Sequence, residues 1–403
     1  MQQSLSAIRQ LLQQKIFAHP SLQQYNVYSQ SVFNRLSKCH TAAIGVHQFN
    51  CSNSSCNHIH YQYHSCGNRH CPNCGGMKRE QWIADRMSEL LPTTYYHLVF
   101  TLPAELHSLI MGNRKLLLGL LFDASHHTIT TLAKDERWLG AKPGIVSILH
   151  SWGQQLSFHP HIHCIVSGGG INSNAMWVHE KRKNGNYLFP KSSMQKIYKG
   201  YFLDRLKKLI TSKQLAIKDE QLVQQAIQQA GYKRWNVNAR ASFGGPSQVM
   251  EYLGRYTHKV AITPHRIVHI GDDTITFKYK DYADGNKQKQ LCLTQIEFIR
   301  RFEQHILPRR FVKIRHAGYL SHQGKHQRIA SIHKQLQLPA PMPKVKIPMQ
   351  LQVLQRTGVD ISICPICSIG KMILVASYIR INNELKNINS LNNKGSPIKK
   401  IHA

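Results

Sequence analysis

Acidic residues are scarce in this chain. Asp and Glu total 20 of 403 residues, against 52 Lys and Arg, which leaves a formal charge of +32. That imbalance argues against a metabolic enzyme as the default and calls for a polyanionic partner, with nucleic acid the first candidate. Long apolar runs are missing as well. No stretch reaches the about 18 residues a membrane span requires, so no membrane partner is expected. The opening MQQSLSAIRQLLQQKIF lacks the basic flank, apolar stretch and small-residue cleavage site of a secretory signal. The expected setting is the reducing cytoplasm. No internal repeat is visible. What is present is enough for a core: a hydrophobic share of 42% excludes wholesale disorder, and the length allows two or three domains.

Hydrophobic spacing predicts a helical N-terminal segment over 1–37, where Ile8, Leu11, Leu12, Ile16 and Phe17 recur at helical intervals. Residues 38–76 concentrate Cys and His, and a helix is expected over 77–90. The string YYHLVFTLP (95–103) reads as a buried strand stopped by Pro103, followed by a helix over 105–139. Residues 144–152 and 161–170 read as two strands of a hairpin. A helical stretch over 192–230, a strand-like 232–243, a helix from Pro246 to Val260, hairpin signals around Gly271 and Gly285, and a helix over 296–308 complete the pattern. Short strands mixed with helices indicate an α+β domain over 91–335. After 335 the composition turns linker-like (LPAPMPKVKIP), then gives a Cys-x-x-Cys knuckle and a polar tail expected to be flexible. The expected order is therefore 1–37 helical, 38–90 a zinc-binding and DNA-binding module, 91–335 the main domain, and 336–403 linker, knuckle and tail.

Ten cysteines are present, and six of them, with six of the 25 histidines, fall between Cys39 and Cys74. In a chain without a secretory signal, that density points to zinc rather than to disulfides. Paired knuckles offer four thiolates at tetrahedral-site spacing, so Cys51, Cys56, Cys71 and Cys74 make the simplest structural Zn²⁺ site. Cys39, His47, Cys66 and His70 could build a second, and His58 could replace either imidazole. Zinc would fold a small basic module that binds DNA, with Arg69, Lys78 and Arg79 as phosphate contacts. Cys364 and Cys367 form a lone knuckle that could be half of another site, with His316, His322 or His326 as partners, or a plain exposed pair. Cys164 and Cys292 read as core residues.

The string FHPHIHCIV places His161 and His163 two apart on a predicted strand, so both point to one face while Ile162 points to the other. Hairpin pairing could bring His150 alongside as a third imidazole, with His159 a competitor for that place. Three imidazoles on one face suit a divalent cation. In QVMEYLGRYTHKVA, Tyr252 and Tyr256 are i and i+4 on a helix opened by Gly-Gly-Pro, on one face. A tyrosine can attack phosphorus and form a phosphotyrosine while a metal polarises the phosphoryl oxygen. An aromatic stripe on a core is the plainer reading of such a pair, but Arg255, His258, Lys259, His265 and Arg266 make this helix and its exit a phosphate-binding surface. Glu251 reads as a surface residue, and the basic run 308–318 (PRRFVKIRHAG) fits phosphate contact.

Taken together, SCGNRHCPNCGGMKREQW (65–82), HLVFTLP (97–103), ILHSWGQQLSFHPHIHCIVSGGG (148–170) and EYLGRYTHKVAITPHRI (251–267) resemble the rolling-circle insertion-sequence transposases with two catalytic tyrosines, the insertion-sequence ninety-one type. These belong to the wider class of His-hydrophobic-His endonucleases. The matching strings span about 38–330, most of the chain. One departure from the family pattern is the first knuckle, with four residues between Cys51 and Cys56 instead of two.

The resemblance implies an antiparallel sheet with packed helices in RNA-recognition-like topology. It maps the nucleophiles onto Tyr252 and Tyr256, and a catalytic Mg²⁺ or Mn²⁺ onto His150, His161 and His163. It implies nicking and rejoining of single-stranded DNA at element ends through a 5′-phosphotyrosine, joining to target DNA, and host replication or helicase factors as partners. A plasmid relaxase or replication initiator of the same chemistry is the first alternative. A zinc-dependent DNA-binding protein with a vestigial nuclease site is the second, and an RNA-binding protein is a weak third.

Overall fold

The computed structural model describes residues 3–74, 77–87, 89–181, 188–240, 248–249, 254, 259–341, 343, 346–382 and 384–388. Its elements in chain order begin with helices α1 (Leu5–Leu11) and α2 (Val27–Ser37), strands β1 (Gly45–Cys51) and β2 (Ile59–Tyr63), and α3 (Met77–Met87). Next come β3 (Tyr95–Thr101), α4 (His107–Gly112), α5 (Arg114–Lys134), β4 (Lys142–Trp152), β5 (Phe158–Ile171), β6 (Trp177–His179), α6 (Lys191–Thr211), α7 (Glu220–Tyr232) and β7 (Val237–Arg240). The remaining strands are β8 (Ile267–Ile270), β9 (Thr274–Asp281), β10 (Lys287–Thr294), β11 (Ile314–Ala317), β12 (Met372–Ile381) and β13 (Glu384–Asn387). The chain divides into two compact units.

One unit draws on 82–257 and 304–344. Its sheet runs β11-β4-β5-β3-β7, every pair antiparallel, with β6 on the end of β5. Read as β3-α5-β4-β5-α6-α7-β7, this is a βαββαβ unit with its fourth and first strands beside its third and second, the RNA-recognition-like order, extended by β11. Period-two alternation then assigns the faces. Tyr96, Leu98 and Phe100 of β3, Ile162, Cys164 and Val166 of β5, and Val237 and Ala239 of β7 join one core with α5, α6 and α7. Phe100, Tyr198, Trp235 and Phe202 form its aromatic centre, with neighbouring rings 5.1–5.3 Å apart. The opposite face carries Tyr95, Val146, Ile148 and Ile165 against Ile329 and Ile332 of the helix Lys325–Gln335. Here Glu89 takes two buried cations on one carboxylate oxygen, Arg86 at 3.0 Å and Lys325 at 2.6 Å.

The other unit draws on residues up to 81, 258–303 and 345 onward. Phe17 and Phe33 of the N-terminal helical segment pack with Phe302 of the helix Gln295–Glu303, and Phe298 of that helix meets Phe277 of β9. Ser29, just past the Asn26 cap of α2, donates to Glu303 at 2.7 Å. A second sheet runs β13-β12-β1-β2. This grouping departs from the linear partition expected from the sequence. Residues 258–303 leave the main domain because their aromatic side chains pack on 17–33. The stretch read as linker and flexible tail supplies β12, paired with β1 from Gly45↔Ile379 to Cys51↔Met372, and β13. The end of the tail, 389–403, lies outside the described residues.

Replacing Glu89 by Ala leaves two buried cations facing each other without their anion. A loss of about 3–5 kcal/mol is expected, read as a lowered urea midpoint by tryptophan fluorescence, while replacing exposed Asp204 of α6 by Ala changes stability by less than about 0.5 kcal/mol.

Candidate functional site

The β4–β5 ladder sets His150 opposite His161 and Ile148 opposite His163. His150, His161 and His163 therefore share the face away from the α5–α7 core. Their ring centroids are 4.7–5.6 Å apart, and one nitrogen from each comes within 4.8 Å of the others. Two hydrogen bonds orient the rings. His161 Nδ1 lies 2.7 Å from the His159 carbonyl. A carbonyl can only accept, so Nδ1 carries the proton and Nε2 the lone pair. His163 Nδ1 lies 2.9 Å from Nε2 of His97 on β3, with the two rings nearly parallel. With the proton on His163 Nδ1 and His97 accepting it, His163 also presents Nε2, the arrangement of a metal-ligating histidine and its supporting partner. The donor set and spacing fit a divalent cation. His159 stays outside: its ring meets His107 edge-on at 6.1 Å, and burial pushes its pKa down.

A further layer fixes the hairpin. The ring of Trp152 stacks on His150 at 4.8 Å and meets His305 at 6.0 Å. His305 donates from Nε2 to the Leu156 carbonyl at 3.1 Å and accepts at Nδ1 from Ser151 Oγ at 3.2 Å. Leu156 sits in the 152–158 turn with φ of +57°, so a buried imidazole holds a left-handed turn residue in place. Burial pushes the pKa of His305 down to about 4.

The cysteines assemble as two all-thiol groups, Cys39, Cys66, Cys71 and Cys74, and Cys51, Cys56, Cys364 and Cys367. In the first, Cys66 Sγ is 3.5 Å from Cys74 Sγ, and the Cys66 amide donates to Cys39 Sγ at 3.4 Å. Arg35 of α2 donates to the Cys66 carbonyl, and Gln13 to the Cys39 carbonyl. The neighbouring thiols push Cys71 and Cys39 upward, Cys71 mainly through Cys39 and Cys39 mainly through Cys66. A dication would relieve that mutual repulsion. The expected allocation is thus corrected. Cys51 and Cys56 do not share a site with Cys71 and Cys74, because β1–β12 pairing carries Cys51 to the C-terminal knuckle. Neither His47 nor His70 joins a group. His47 bonds Ser377 Oγ at 2.7 Å and packs on His64, and His70 accepts from Arg69 Nε at 3.3 Å. His58 joins neither set, and none of His316, His322 and His326 joins Cys364 and Cys367.

A family model described as "Transposase zinc-binding domain" matches residues 8–102, and one described as "Putative transposase" matches 144–328. "Putative transposase y4qJ" of Sinorhizobium fredii is 36% identical over 358 residues, 86% of this chain and 89% of that protein. The chain belongs to the insertion-sequence ninety-one type of transposases. "Transposase for insertion sequence element IS801" of Pseudomonas savastanoi pv. phaseolicola is 29% identical to this transposase over 87% of this chain and 84% of that protein. Among solved structures, the metal-bound conjugative relaxase TrwC in complex with oriT DNA aligns with 41% of this chain and 71% of that chain, at 12% identity and a TM-score of 0.23.

Other expected residues of the transposase fall unevenly. Tyr252, Tyr256, Arg255, His258 and Glu251 lie outside the described residues. Lys78 and Arg79 lie on α3. Arg69 and Lys259 are exposed. Arg266 is engaged internally, donating to the Lys278 and Ala261 carbonyls over the ring of Phe277. In the 308–318 run, Arg309 and Arg310 are exposed, while Arg315 turns inward over Phe122 at 4.2 Å and pairs with Asp123. Cys164 is a core residue as expected, but Cys292 is exposed on β10. Sequence reasoning missed His97, Trp152 and His305. Only His97 carried a local signal, as the single imidazole in an otherwise apolar strand.

His97→Ala is expected to weaken Mn²⁺ binding by about 10- to 100-fold through loss of ring orientation, measured by calorimetry on the full chain. His97→Gln, whose amide can still accept, should lose less. A pH dependence also follows. The unfolded chain protonates a histidine at the ordinary 6.5, whereas folded His126, His305 and His316 resist down to about 4. The unfolded state thus binds more protons over this window, so stability is full above 6.5 and falls as pH drops toward 4. Urea midpoints between pH 7.5 and 4.5 should show that decline, shallower in His305→Gln.

Proposed function

We propose that this transposase nicks and rejoins single-stranded DNA at insertion-sequence ends through tyrosine nucleophiles. The observation that carries the reading is the convergence of His150, His161 and His163 from two strands, with the ring of His161 held through Nδ1 by a carbonyl so that its Nε2 carries the lone pair. These three residues would hold a divalent cation, and three imidazoles suit Mn²⁺ before Mg²⁺, which keeps oxygen ligands and water. When bound, the cation supplies Lewis-acid polarisation of the scissile phosphoryl group.

Tyr252 or Tyr256 attacks phosphorus. The Oη–P bond forms, the bond from phosphorus to the 3′-oxygen breaks, and that oxygen takes up a proton to leave as a 3′-hydroxyl. The DNA 5′-phosphate stays on the tyrosine, so the bond energy is conserved for strand joining. The second tyrosine cuts a second strand, and the released hydroxyls resolve both links. Excess positive charge, with Arg69, Lys78, Arg79, Arg255 and Lys259 among its carriers, draws single-stranded and target DNA. The first cysteine group holds a structural Zn²⁺ in the DNA-binding module. The setting is the cytoplasm, on chromosomal DNA, with host replication or helicase factors exposing single strands. Among the described residues no helix is long and apolar enough to cross a membrane.

The test incubates the full chain with Mn²⁺ and single-stranded element-end DNA labelled on the fragment 3′ of the cut. A covalent adduct is expected on denaturing gels, absent with EDTA and absent in Tyr252→Phe/Tyr256→Phe. Tight binding without adduct on any end sequence would overturn the nuclease reading in favour of a DNA-binding protein with a vestigial site.

A further inference from the structure

The second cysteine group joins distant parts of the chain. Cys51 Sγ lies 3.7 Å from Cys367 Sγ, and Cys56 Sγ lies 3.8 Å from Cys364 Sγ. All four sulfurs are within 4.8 Å of one another. A tetrahedron with zinc–sulfur arms of about 2.3 Å has edges of about 3.8 Å, whereas a disulfide needs about 2.05 Å. We propose that Cys51, Cys56, Cys364 and Cys367 form a second structural zinc site, which fastens the C-terminal segment to the N-terminal cysteine module.

Both knuckles are built for thiolates. The Asn53 amide donates to Cys51 Sγ at 3.4 Å and the Gly370 amide to Cys367 Sγ at 3.3 Å, and N–H donors stabilise a charged acceptor. Each knuckle is closed by its own turn. The Cys56 amide donates to Asn53 O, the Ser368 amide to Cys364 O, and the Cys364 amide to Gly370 O. The two are also stitched together, Ser52 N–H to Lys371 O and Lys371 N–H to Ser52 Oγ. The fit is close enough to require glycine at 370, where an added Cβ would stand 2.3 Å from Cys51 Sγ and 2.9 Å from the Asn53 amide.

The surrounding sheet has need of such a clamp. In β12 only Ala376 and Ser377 are buried, in β1 only Gly45 and Val46, and every residue of β2 is exposed. Ile373, Leu374 and Val375 stand about half exposed. Four strands with so few buried apolar groups are what structural metals stabilise in small modules.

Alkylation footprinting of the full zinc-replete chain tests this without any substitution. Cys51, Cys56, Cys364 and Cys367 should resist iodoacetamide while exposed Cys292 reacts, and all four should become reactive together when a chelator is added. Elemental analysis of Cys364→Ser/Cys367→Ser should show one zinc fewer per chain than the parent, and Cys364→His, which keeps a zinc ligand, should restore it. Gly370→Ala should lower zinc retention at this site. Alkylation of Cys364 and Cys367 at the rate of Cys292 in zinc-replete protein overturns the proposal. So does recovery of disulfide-linked peptides joining these cysteines, or an unchanged zinc content in the double variant.

Discussion

The backbone ladder between β4 and β5 is the constraint that the candidate site rests on. Only one register sets His150 against His161 and Ile148 against His163. Side chains alternate with period two, so a slip by one residue would turn His161 and His163 into the apolar core. It would also bring Ile162, Cys164 and Val166 out of it. The cost of burying two unpaired imidazoles and exposing three apolar groups locks the register. The turn adds a second lock, since His305 binds both the Ser151 hydroxyl and the Leu156 carbonyl. The chemistry thus needs no separate scaffold. The forces that fold the sheet also fix which nitrogens face one another.

The other unit solves a different problem. Its aromatic cluster around Phe17, Phe33 and Phe302 is an ordinary packed core, but the β13-β12-β1-β2 sheet has almost no apolar interior of its own. Sulfur takes the place of hydrocarbon there. Two groups of four thiols lie in this unit, and backbone hydrogen bonds close the turns that carry Cys56, Cys71 and Cys364. A sheet of this kind depends on the redox state of its surroundings far more than the α5–α7 core does.

Much of this was legible in the residues, and what was not legible has physical reasons. The alternation His161-Ile162-His163 is a local pattern, and two-residue periodicity translates directly into a shared face. Hairpin spacing left His150 and His159 as candidates for the third place, and the β4–β5 register sets His150 opposite His161. His97 did not, because its tie to His163 runs across a strand boundary 66 positions away, and no periodicity encodes which strand is a neighbour. The cysteine content pointed to metal, but the pairing failed for the same reason: Cys51 and Cys367 are 316 positions apart. Proximity in sequence favoured Cys71 and Cys74 as partners, and β1–β12 pairing decided otherwise. Residues 258–303 read as part of the main domain because they lie between its motifs. Their phenylalanines belong to another core.

The pairing of β1 with β12 also sets an order on synthesis. The strand at 45–51 leaves the ribosome long before its partner at 372–381 exists, so β1 has no β12 neighbour during most of translation. A gene copy interrupted between β7 and β12 would still encode the four strands of the βαββαβ unit, yet its N-terminal cysteine module would never gain the strand β12. For a mobile element, whose copies decay by frameshift and truncation, a late stretch of the reading frame thereby becomes a condition on an early one.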